Sequence, residues 1–115
     1  MDHLALAVAD EDASRRFYER LGFDARAERM DDGVLMLSDA TGFQLALGPA
    51  DPEARLPAFL HFGRRFASGD EVRAAVARLD AEVVEAWDED GYVSRKVRDP
   101  DGYVVELFWE PPPAA

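Results

Sequence analysis

The chain has 115 residues, 48% of them hydrophobic, and a formal net charge of −11 from 24 acidic and 13 basic side chains. That is material for one modest domain with a core, and it argues against disorder, nucleic-acid binding and an anionic membrane partner. The absence of cysteine excludes disulfides, zinc–thiolate sites and a thiol nucleophile, and with no basic-plus-apolar leader and no run of roughly 18 apolar residues a cytoplasmic location is expected.

Residues Asp2 to Ala9 predict a first strand, because His3, Ala5 and Ala7 alternate with Leu4, Leu6 and Val8. The bulky set can face a core, and the histidine shares its face with small residues. A helix follows, with Asp10 or Asp12 placed to cap it and Phe17, Tyr18 and Leu21 as its apolar stripe. Strands are then expected over about Asp24 to Met30, Val34 to Ser38 and Phe43 to Leu47. They are separated by Asp32-Gly33 and Thr41-Gly42, dipeptides whose glycine suits a turn with positive φ. Residues 49 to 57, with three prolines, read as a linker.

The same order then begins again. A strand over Ala58 to Arg65 carries His61 on one face with Gly63 and Phe59, opposite Leu60 and Phe62. Ser68-Gly-Asp-Glu71 is a capping box opening a helix with the stripe Val72, Ala75, Val76, Leu79. Strands are expected over Glu82 to Trp87, Tyr92 to Arg98 and Tyr103 to Glu110, with turns at Asp90-Gly91 and Asp101-Gly102. The repeat is also visible in the letters. His3, Arg20-Leu21 and Met30-Asp-Asp-Gly33 recur 58 positions on as His61, Arg78-Leu79 and Asp88-Glu-Asp-Gly91, and Asp39-Ala-Thr-Gly42 recurs 60 on as Asp99-Pro-Asp-Gly102. Two βαβββ copies follow, about 1 to 50 and about 58 to 112, within a single domain spanning the chain.

The last strand sets Glu106 opposite Val105, Leu107 and Trp109. A buried carboxylate without a partner costs several kcal/mol, so Glu106 needs a cation, a donor or a proton. The chain has only two histidines, and they hold the same position in the two copies. His3, His61 and Glu106 are therefore the candidate ligands of one divalent metal ion, a set suited to Fe and tolerable for Mn, Co, Ni or Zn. The competing reading makes the histidines ordinary exposed polar residues and pairs Glu106 with an arginine. Four residues beyond Gly102 lies Glu106, whereas four beyond Gly42 lies Ala46, so the fourth symmetric position carries no ligand. Gln44 and Ala46, with Ala5, Ala7, Gly63 and Phe108, are candidates to line a substrate pocket, and Glu106 is the candidate catalytic group.

His3-Leu-Ala-Leu-Ala-Val, Phe17-Tyr-Glu-Arg-Leu-Gly-Phe23, His61 and Asp99-Pro-Asp-Gly-Tyr-Val-Val-Glu-Leu107 together resemble the vicinal oxygen chelate superfamily of glyoxalases, bleomycin-resistance proteins and extradiol dioxygenases. The resemblance implies an α+β fold in which two βαβββ modules form a cupped, mixed eight-stranded sheet around a metal. It also implies a homodimer, with each cup inside one chain or shared across a swapped pair. Glyoxalase-like isomerases carry a glutamate where this chain has Ala46, which removes one acid/base partner for proton shuttling. Fosfomycin-resistance transferases match at the two histidines and the glutamate, and at Ser94, but have a hydroxyl where this chain has Ala5 and a tyrosine where it has Lys96. Extradiol dioxygenases bring further His and Tyr residues that are absent here. The resemblance thus implies a metal-dependent lyase, isomerase, transferase or dioxygenase acting on a small oxygen-chelating substrate. Two alternatives are a metal-free acidic protein sequestering a cationic antibiotic and a structural or regulatory module on the same scaffold.

Overall fold

The computed structural model describes residues 1–113. The chain divides into two compact units, Met1–Arg55 and the remainder from Leu56 onward. Ten elements alternate in the doubled order that the sequence predicts.

Unit one contains β1 (His3–Val8), α1 (Glu11–Arg20), β2 (Arg26–Arg29), β3 (Leu35–Ser38) and β4 (Gln44–Pro49). Its sheet order is β1-β4-β3-β2, with β1 and β4 parallel and the other pairs antiparallel. Asp10 resolves the choice of cap, because its side chain accepts the Ala13 N–H at 3.0 Å. Alternation holds along β1: Leu6 and Val8 are buried while His3, Ala5 and Ala7 are exposed. Leu35, Leu37, Leu45 and Leu47 extend the core, to which α1 adds Phe17 and Tyr18. Each such side chain contributes roughly 1.5–3 kcal/mol on leaving water.

Unit two contains β5 (His61–Arg65), α2 (Gly69–Leu79), β6 (Val83–Glu89), β7 (Tyr92–Arg98) and β8 (Val104–Trp109), in the order β5-β8-β7-β6 with β5 and β8 parallel. Val72, Ala75 and Leu79 of α2 are buried with Val93, Val97, Val105 and Leu107 of the sheet. The capping box forms with a small change. Ser68 Oγ accepts the Glu71 N–H at 3.1 Å, while the Glu71 carboxylate reaches back to the Ala67 N–H at 3.1 Å rather than to Ser68.

The last turn of each unit is built on one aspartate. Asp39 Oδ1 accepts the N–H groups of Thr41 and Phe43, and Asp99 Oδ1 accepts those of Asp101 and Tyr103, all at 2.9–3.0 Å. Both aspartates are buried, because the carboxylate replaces water for backbone donors that the turn leaves unpaired. Gly42 and Gly102 follow at φ 90° and 89°, where a side chain would be strained.

The expected strand over Ala58 to Arg65 begins only at His61. Phe59 stands at φ 68°, a conformation that a bulky residue rarely adopts and that ends an extended run. Elsewhere boundaries move inward by one or two residues, or extend, as in β4 to Pro49 and β6 to Glu89. No helix among the described residues is long and apolar enough to cross a membrane.

Candidate functional site

In unit two the parallel pairing of β5 with β8 sets His61 opposite Val104 and Gly63 opposite Glu106, and β7 sets Lys96 opposite Glu106 and Ser94 opposite Phe108. Side chains on paired positions share a face, so His61, Glu106, Phe108, Ser94 and Lys96 rise from the side away from α2. The sequence predicts this face for His61 and Glu106, and the register brings the two together.

His61 is held in one orientation. Its Nδ1 lies 2.8 Å from the carbonyl oxygen of Phe59, and a carbonyl only accepts, so Nδ1 carries the proton and Nε2 keeps its lone pair. The left-handed backbone at Phe59 belongs to the same arrangement. Its ring stands edge-on to the imidazole, with centroids 5.0 Å apart.

Glu106 is likewise divided between two tasks. Its Oε2 accepts the hydroxyls of Tyr92 and Ser94, each at 2.6 Å, while Oε1 lies 3.6 Å from His61 Nε2. Burial pushes the Glu106 pKa up, but the hydrogen bonds from the Ser94 and Tyr92 hydroxyls, with the charge of Lys96, act the other way, and the carboxyl lies below its ordinary value. The reciprocal hydrogen bond to Glu106, helped by burial, raises the Tyr92 phenol. Tyr92 therefore stays a donor and Glu106 an anion. The 3.6 Å separation is too long for a hydrogen bond, yet close to the ~3.4 Å between two ligands of one tetrahedral ion. A bare imidazole nitrogen facing a free carboxylate oxygen, each with its other atom tied down, suits a divalent cation.

Phe108 lies over Gly63, where an added Cβ would meet the ring at 3.0 Å, and the Arg65 guanidinium sits 5.0 Å from the ring centroid. Gly63 is exposed, yet the place a Cβ would take is bounded by Phe108.

In unit one His3 pairs with Gln44 and Ala5 with Ala46, so these four predicted residues are neighbours on one face, where His3, Ala5 and Gln44 are exposed and Ala46 is buried. Ala5 and Ala46 correspond to Gly63 and Glu106, and the carboxylate position is alanine here, as the spacing from Gly42 predicts. His3 Nδ1 lies 3.1 Å from Asp2 Oδ1, both well exposed, a contact that also leaves Nε2 bare. Among the described residues, neither unit by itself gathers three His, Cys, Asp or Glu side chains into a metal cluster.

Tyr92 and the Phe59 carbonyl are site groups that the sequence does not single out. A signal exists for Tyr92, since Tyr92, Ser94 and Lys96 alternate on one face of a strand next to the one bearing Glu106. None exists for the carbonyl, because nothing in the letters marks Phe59 for positive φ.

The family model described as Glyoxalase/Bleomycin resistance protein/Dioxygenase superfamily matches residues 1–107. No curated protein matches the chain. Among solved structures, a possible glyoxalase from Bacillus cereus is 27% identical, with 93% of this chain and 96% of that one covered and a TM-score of 0.75. A genomically encoded fosfomycin resistance protein from Listeria monocytogenes is 18% identical, with 96% and 93% covered and a TM-score of 0.78. A virulence protein from Salmonella typhimurium is 23% identical, with 96% of each chain covered and a TM-score of 0.70. The last two, at these identities, speak to the fold alone.

Proposed function

The chain belongs to the Glyoxalase/Bleomycin resistance protein/Dioxygenase superfamily, and from that premise we propose that it is a divalent-metal-dependent enzyme acting on a small oxygen-chelating substrate, with His3, His61 and Glu106 as ligands. The observation that carries the reading is the aligned pair in unit two: His61 Nε2 and Glu106 Oε1 face each other at 3.6 Å, with their other polar atoms held by Phe59, Tyr92 and Ser94. An arrangement built only for stability has no need to keep these two atoms free and opposed.

A bound cation would stabilise oxyanion character on the substrate. The chain's own residues do the rest. Tyr92 and Ser94 hold Glu106 with one oxygen outward, and the Phe59 carbonyl fixes the tautomer of His61. In this reading Glu106 holds or moves a proton at the substrate, and alanine at position 46 leaves it without a symmetric carboxylate partner. Phe108 gives the open face of unit two an apolar wall. Ala5 and Ala46 do the same for unit one, and Gln44 offers an amide to hydrogen-bond the substrate. The reading includes a homodimer, which sedimentation velocity of the purified chain measures.

Metal content decides the proposal. After reconstitution with Fe(II), Mn, Co, Ni or Zn and removal of excess, about one ion per chain is expected for the wild type, and little for His61→Ala or Glu106→Ala. A wild-type chain that retains no ion under any of these conditions would sink it.

A further inference from the structure

Beside His61, and wholly within unit two, lies a cavity of about 360 Å³. Its walls include Leu56, Phe59 and Val84 as apolar surface and His61, Lys96 and Arg98 as polar groups. No Asp or Glu is among the described residues that line it, in a chain where acidic side chains outnumber basic ones 24 to 13. Two cavities in unit one do include acidic side chains, Glu28, Asp31 and Asp32 in one and Glu11 and Asp32 in the other. Lys96 is the chain's one lysine. It is 17% exposed, with its ammonium 5.5 Å from the centre of the Phe59 ring.

We propose that this cavity binds the carboxylate end of a small molecule with an apolar body, the carboxylate taken by Lys96 and Arg98 and the body by Phe59, Leu56 and Val84. The inference deepens the metal reading and rests on it for the role of His61, since it makes an apolar carboxylic acid the class of substrate presented to that site.

Each cation already has a partner. Glu85 lies 3.1 Å from Lys96 and Glu82 lies 3.4 Å from Arg98, but these carboxylates are 53% and 69% exposed. Such pairs are weak and exchange readily with water. The ammonium has three donors and the guanidinium five, so both retain capacity toward the cavity. A singly charged carboxylate suits this balance better than a dianion, because Glu82 and Glu85 already offset part of the positive charge. The fork of an arginine also matches a carboxylate in plane. A cationic ligand would have to displace those carboxylates from their partners and then face Lys96 and Arg98 directly. The cavity therefore opposes the alternative of a sequestered cationic antibiotic at this place.

The test is a titration of the full chain, chelator-treated and metal-loaded, with benzoate, benzyl alcohol and benzylamine, followed by amide NMR shifts. Benzoate is expected to bind the metal-free chain with a Kd on the order of 1 mM, to move the signals of His61, Lys96, Arg98 and Val104, and to outcompete the other two compounds. Lys96→Gln and Arg98→Gln should each weaken it about tenfold, while Lys96→Arg, which keeps the charge, should retain binding and report on folding. Benzyl alcohol or benzylamine binding as tightly as benzoate would overturn the proposal, as would benzoate binding unchanged in the double Gln variant. The two readings fail separately. A chain that retains no metal but binds benzoate here keeps the carboxylate site, and one that retains metal but prefers benzyl alcohol loses it.

Discussion

The two units present a histidine at the same position of the same strand order, and they differ in the side chains that surround it. In unit one, His3 is followed along its face by Ala5 and Ala7, has Gln44 and Ala46 on the neighbouring strand, and its ring nitrogen lies against the exposed carboxylate of Asp2. In unit two, His61 is anchored by a backbone carbonyl, and Glu106 by two hydroxyls. The strands differ as well: β6 and β7 have seven residues each where β2 and β3 have four. The longer hairpin carries Tyr92 and Ser94 to Glu106. The buried faces, by contrast, repeat the same aliphatic alternation. Packing constrains one face of a duplicated sheet while the solvent side is free to acquire chemistry, because a change there leaves no cavity.

The equivalence of the buried faces can be broken most directly. Leu107 and Leu47 are both 0–1% exposed at matching positions of β8 and β4. Replacing either with alanine is expected to cost about 2–5 kcal/mol in urea unfolding. A loss well under 1 kcal/mol for one of them, judged against ordinary core values, would show that the units do not share a common packing scheme.

The inequality of the open faces is tested by affinity. Tyr92→Phe and Ser94→Ala each remove one donor to Glu106, and each should weaken Zn binding roughly 10- to 100-fold by calorimetry with the fold retained. Equal affinity in these variants would reduce Tyr92 and Ser94 to surface hydroxyls, and unit two would lose its distinction from unit one.

A smaller effect separates Gly63 from its counterpart Ala5. Gly63→Ala places a methyl 3.0 Å from Phe108 and is expected to lower stability by about 1 kcal/mol, with the Phe108 ring resonances displaced. Unchanged ring resonances would show that the contact yields without consequence.

The smallest effect concerns the ion pairs that join a helix to an edge strand in each unit. Arg29 of β2 grips Glu11 of α1, and Asp88 of β6 binds Arg73 of α2 and Arg95 of β7. The hydrogen bond from Arg29 depresses the Glu11 pKa, and those from Arg73 and Arg95 depress that of Asp88. A carboxyl lowered by folding stabilises the fold above its unfolded pKa, and that contribution is lost as pH falls through the folded value. Glu11→Gln and Asp88→Asn should therefore lower Tm slightly at pH 7 and not at all once the native carboxyl is protonated. Asp88 is exposed and Glu11 half-buried, so added salt should shrink the difference, more at Asp88 than at Glu11. A Tm penalty that persists undiminished in strong acid would assign these residues a role other than charge.

Most of the frame is legible in the residues alone. Asp10 and Ser68 cap helices because a short oxygen-bearing side chain ahead of an apolar stripe has little else to do. His3 and Glu106 have the faces that alternation assigns them, since side-chain direction along a strand is a local property. The start of β5 is not legible, because a run of apolar residues says nothing of the one φ angle that interrupts it. Nor is the filling of the space at Gly63, whose occupant, Phe108, comes from another strand.

The duplication, the order of elements, the buried stripes and the candidacy of the two histidines and Glu106 are all written in short-range periodicity and spacing. The sharing of one Glu106 oxygen by Tyr92 and Ser94, the orientation of His61 by Phe59, and the meeting of Lys96 and Arg98 in a cavity with no Asp or Glu among its described lining residues arise only in the folded chain. Those contacts depend on the register between β5, β8 and β7 and on one left-handed residue, and register is fixed by pairing across the sheet rather than by any pattern within a single strand.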